Sequence, residues 1–75
     1  MTLLEVAYRY ATPLTEGTMR AIDSVREVYG VRRIDFDEKN RIVRVEFDAS
    51  RFKEPVVAAL LRQAGVQLLE KLVLA

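Results

Sequence analysis

The sequence predicts a single α+β domain in the order β-α-β-β-α-β, on three observations. Four segments are strand-like, either alternating apolar and polar residues or running short and apolar. Two others repeat apolar residues at helical spacing, and clusters of Gly, Pro and polar residues separate the six. At 75 residues the span 1–75 has room for one core and no separate cleft, because folding buries only about 60% of the surface of so short a chain.

The first strand runs roughly from Thr2 to Ala11. Leu4, Val6, Tyr8 and Tyr10 alternate with Glu5, Ala7 and Arg9 and are expected to face the core. Thr12 suits an N-cap and Pro13 the first helical position, where a missing N–H costs nothing. Ile22, Val25 and Tyr29, extended by Thr18 and Ala21, form a stripe that Gly30 ends. "VRRIDFD" (31–37) and "RIVRVEFD" (41–48) form the next two strands, with Ile34 and Phe36 inward in one and Val43, Val45 and Phe47 in the other. "DEKN" supplies their hairpin turn. In "VVAALLRQAG" the stripe is Val56, Val57, Leu60 and Leu61, with Pro55 in the first turn and Gly65 as the stop. "VQLLEKLVLA" closes the sheet. This order is the ferredoxin-like unit, and right-handed crossovers place both helices on one face of a four-stranded antiparallel sheet.

Twelve basic against 11 acidic residues leave a net charge of +1, so no global field draws the chain to nucleic acid or an anionic membrane. Without cysteine there is no disulfide, thiolate nucleophile or Cys-based zinc site. Without histidine the commonest general base and metal ligand is missing too. The opening "MTLLEVAYRY" lacks the charge and apolar run of a signal segment, and no stretch approaches about 18 apolar residues. The chain is expected in the cytoplasm, without a cofactor.

From Ala11 to Val66 the layout resembles the heavy-metal-associated domains of copper chaperones and metal-pumping ATPases. That family has a Gly-Met-x-Cys-x-x-Cys motif before its first helix, a Gly-Val step after it, a Tyr-Asp-Pro-like turn and an Ala-Gly-Tyr-like end. Here "ATPLTEG" falls on the metal motif, Gly30-Val31 on the step, Phe47-Asp48-Ala49 on the turn and Ala64-Gly65-Val66 on the end. The methionine position holds Thr12, and the two cysteine positions hold Leu14 and Gly17. In the family, two thiolates at a helix start bind a soft ion such as Cu(I). Leucine and glycine side chains have no donor atom. The resemblance therefore implies the fold without the metal ligands, and any residual metal would be a hard ion held by oxygens.

Other candidates are weaker. Asp35, Asp37 and Glu46 match positions one, three and twelve of a calcium loop, but Lys39 and Asn40 break it and its flanks are strands. The same aspartates show no sign of a pocket for acid–base work. Tyr8 and Tyr10 would have to face outward to stack bases, and the pattern puts them inside. Arg9, Arg33 and Arg44 form at most a small basic patch, and Glu16 and Arg20 are spaced to pair. An acylphosphatase on this layout needs an arginine in the first loop, and "ATPLTEGT" has none. Self-association has more support. Leu3, Ala7, Leu69 and Val73 are expected to form an apolar patch on the open sheet face, fit for a homodimer or a protein partner. The expected function is a non-catalytic interaction module, not an enzyme. The alternative is a small-ligand-sensing regulatory domain of the same fold.

Overall fold

The computed structural model describes residues 2–11 and 13–72. Its elements are β1 (Leu3–Tyr10), α1 (Glu16–Arg26), β2 (Val31–Asp37), β3 (Ile42–Asp48), α2 (Glu54–Gln63) and β4 (Leu68–Leu72). The sheet is antiparallel in the order β2-β3-β1-β4, the ferredoxin-like arrangement. β1 and β3 occupy its centre. Their alternate residues Val6, Tyr8, Tyr10, Val43, Val45 and Phe47 meet Ile22 of α1 and Val57, Ala58 and Leu61 of α2 in one core. Tyr10 meets Phe36 edge-on at 5.9 Å, and Phe47 stacks on Phe52 at 5.8 Å.

α1 starts three residues later than Thr12-Pro13 suggests. Thr15 is the N-cap, with extended backbone and a hydroxyl that accepts the N–H of Thr18 at 3.1 Å. Both threonines carry capping chemistry, and Thr15 stands at the turn that bonds. The helix also ends early, at Arg26, and tight turns carry the chain to Gly30. Tyr29 consequently falls off the helical stripe and is 73% exposed. Gly30 has φ +105°, and a β-carbon there would lie 2.4 Å from Cε1 of Phe52, so only glycine lets that ring close over the turn. The Glu16–Arg20 pair forms, at 2.6 Å.

In α2, Pro55 sits in the first turn as expected. The buried face runs through Val57, Ala58 and Leu61, leaving Val56 exposed. Leu4 also departs from expectation. It is 52% exposed, because it lies at the end of the sheet where only the start of α2 approaches.

Candidate functional site

Three surfaces bear on function: the loop before α1, the open sheet face and the edge of β1. In the loop, Leu14 is half-buried and packs against the core. Gly17 lies exposed in the first turn of α1. Thr12, the third position that the resemblance sets against the metal motif, lies outside the described residues. A hollow of about 250 Å³ beside Leu14 is lined by Tyr10, Pro13, Leu14, Glu38 and Arg41. Arg41 closes it by donating to the Ala11 carbonyl at 2.7 Å. Burial, reinforced by Glu38, pushes the Tyr10 hydroxyl above its ordinary pKa. Among the described residues Glu38 is the one carboxylate lining this hollow, fewer than the charged oxygens that a hard-ion site usually gathers. Among the described residues no cluster of three or more His, Cys, Asp or Glu side chains is arranged to hold a metal. Asp37 instead accepts the N–H and side-chain amide of Asn40, which hold its carboxyl below the usual range and build the hairpin turn.

The open face is charged. Leu3, Glu5, Ala7 and Arg9 of β1 lie opposite Asp48, Glu46, Arg44 and Ile42 of β3, with Arg33 and Asp35 of β2 beyond. Arg33 pairs with Asp35 at 2.7 Å and Arg9 with Glu70 at 3.5 Å, which marks a solvated face. The apolar patch expected from Leu3, Ala7, Leu69 and Val73 is not assembled by the described residues. Ala7 is buried, the small residue between its cross-strand neighbours Arg44 and Leu72. Leu3 and Leu69 are both exposed but sit at opposite ends of β1, about 20 Å apart at a strand's rise per residue. Val73 lies outside the described residues.

Exposed apolar surface gathers instead at the edge of β1. β4 pairs only with Ala7–Tyr10, through a bulge opposite Arg9 and Tyr10 at which Leu69 is the extra residue. Among the described residues, Leu3–Val6 has no partner on that side. Beside it runs a groove of about 200 Å³, lined by Leu4, Val6, Phe47 and Leu72 with Glu5, Glu54 and Lys71 at its rim. Glu54 accepts from the Tyr8 hydroxyl and lies 3.6 Å from Lys71, tying α2 to both strands. Sequence reasoning missed Leu4 because strict alternation assigned it to the core. The signal available was position: it is the first core-facing residue of its strand.

No protein-family model matches the chain, and no curated protein matches its sequence. Two solved structures share its architecture. Oxidized MerP from Ralstonia metallidurans CH34 superposes with a TM-score of 0.72 at 16% identity, over 91% of this chain and 96% of that one. Apo-CopP from Helicobacter pylori superposes with a TM-score of 0.73 at 24% identity, over 88% of this chain and 100% of that one. The chain has the fold of the heavy-metal-associated domains. It carries that fold without a single cysteine.

Proposed function

We propose that this chain is a non-catalytic interaction module, a heavy-metal-associated layout that has lost its thiolate pair and works by protein contact. The observation that carries this reading is the exchange of roles between two surfaces. At the helix start Leu14 packs inward and Gly17 offers no side chain. On β1 Leu3 and Leu4 are 41% and 52% exposed beside an apolar groove, and exposed apolar surface of this kind is what protein contacts use. The charged open face, with its own ion pairs, supplies solubility.

The groove also supports the small-ligand reading. Its apolar floor and the opposed charges of Glu54 and Lys71 suit a zwitterion with an aliphatic side chain. The protein-contact reading is preferred because the groove is open and shallow, and Glu54 already has two partners.

Thermal melting of the purified chain with and without Cu(I), Zn(II) and Ca(II) tests the loss of metal function. The melting temperature is expected to stay fixed with each ion. A reversible rise with one of them would overturn the reading, since an ion that binds the native state selectively stabilises it.

A further inference from the structure

Tyr29 is the most exposed large apolar side chain among the described residues, at 73%, yet it is held in place. It follows the end of α1, far along that helix from the loop that aligns with the metal motif. The Arg51 guanidinium, from the loop between β3 and α2, lies 4.3 Å from the ring centroid and donates to the Tyr29 hydroxyl at 2.7 Å. Behind this pair, Phe52 occupies the space that Gly30 leaves by lacking a side chain, and it stacks on buried Phe47. The two exposed side chains order one another before any partner arrives, so less freedom is lost on binding. Tyrosine and arginine are also the types that dominate the energy of protein contacts.

A hollow of about 320 Å³ opens beside Tyr29, with Arg32 on its rim. Arg32 is the extra residue of a bulge: Val31 pairs with Phe47 and Arg33 with Glu46, so nothing on β3 stands opposite it. A bulge of this kind re-aims a side chain that regular alternation would place elsewhere. Two other charges of the hollow are already partnered. Arg26 pairs with Asp23 at 3.0 Å and donates to the Ile34 carbonyl at 3.0 Å, and buried Asp48 accepts from Thr2 and Ser50. Among the described residues Arg32 and Arg51 meet no carboxylate, and Glu27 is the one unpaired acid lining the hollow.

We propose that Tyr29, Arg32 and Arg51 form a docking site for an acidic segment of a partner protein, its carboxylates meeting the two guanidinium groups and an apolar side chain lying against the Tyr29 ring. The inference rests on the interaction-module reading and names its partner by chemistry. Guanidinium groups take carboxylates in a two-pronged geometry, and the ring adds apolar area beside them. The attraction comes from a few local charges, because the whole chain carries only +1. Binding is therefore weakened by salt.

The test titrates the isotope-labelled full chain with a glutamate-rich synthetic peptide carrying one central phenylalanine, followed by amide NMR. Shifts should gather at Tyr29, Gly30, Arg32 and Arg51, and should fade as salt rises from about 50 mM to about 500 mM. The same peptide with lysine in place of glutamate should not bind. Tyr29→Ala and Arg51→Ala should each weaken binding about tenfold, the loss expected of a residue central to a contact. Both side chains are exposed, so far-UV dichroism should stay native. Arg62→Ala removes the same charge from an exposed site in the last turn of α2 and should change affinity less than about twofold. Shifts scattered over the sheet face, no saturation by about 5 mM peptide, or equal losses in Arg51→Ala and Arg62→Ala would overturn the proposal. So would tighter binding of single-stranded DNA of matched charge, which would assign the surface to nucleic acid. None of these results bears on the loss of metal binding, which the melts with metals decide.

Discussion

The buried hydroxyl of Tyr8 donates to the carboxylate of Glu54, joining the middle of β1 to the first turn of α2. The same carboxylate faces Lys71 of β4, so one acidic residue gathers three of the four elements that line the groove. Tyr8→Phe should remove a hydrogen bond to a charged acceptor and cost about 1.5 kcal/mol. In a domain of this size that lowers the melting temperature by roughly 6–12 °C. Glu54→Gln, which keeps an acceptor, should cost less than Glu54→Ala in the same melts.

Alkaline stability follows from this contact. Burial first, then the hydrogen bond and charge of Glu54, push the Tyr8 hydroxyl well above the ordinary tyrosine range. The unfolded chain loses this proton near pH 10 while the folded chain holds it. The stabilisation is therefore complete below about pH 10 and is lost as pH rises towards the folded value. Melting temperatures between pH 8 and pH 12 should fall above about pH 10. The fall should be shallower in Tyr8→Phe.

Asp48 governs the acid side. Buried at the end of β3, it accepts the N–H of Thr2 at 3.2 Å and the N–H and hydroxyl of Ser50 at 3.0 and 2.6 Å. The Ser50 hydroxyl is the largest of the influences that hold its carboxyl below the usual range. A lowered folded pKa gives stability that is present above the unfolded value and lost as pH falls through the folded one. Melts from pH 6 down to pH 2 should show a loss beginning near pH 4, and Ser50→Ala should make the pH dependence smaller.

Gly30 is the most constrained backbone position after α1. With φ +105° and the Phe52 ring in the space a β-carbon needs, Gly30→Ala should destabilise by about 1–3 kcal/mol. Urea denaturation should show the midpoint lowered with the slope unchanged, since the same surface is exposed on unfolding.

Much of this architecture was legible in the sequence. Val43, Val45 and Phe47 alternate so regularly that β3 could be placed to within a residue, and Pro55 and Gly65 bracket α2. What escaped depends on contacts between elements. Thr12 and Thr15 offer the same capping chemistry, and only the observed bond from Thr18 distinguishes them. Ala7 was expected at the surface, yet small residues between long cross-strand neighbours are covered whichever face they take. The bulge that displaces Leu69 belongs to register, which alternation along one strand does not encode. The absence of thiolates, by contrast, was plain from the sequence alone.

We propose that the fold this chain shares with MerP and CopP holds no soft metal ion here, because Leu14 and Gly17 carry no donor atom. Equilibrium dialysis against Cu(I) under reducing, anaerobic conditions tests it most directly, with the natural chain beside the double variant Leu14→Cys, Gly17→Cys. The natural chain should retain no copper above background. The variant, with two thiolates restored at a helix start, should retain about one ion per chain, as two soft donors dictate. Copper retained stoichiometrically by the natural chain would contradict the account.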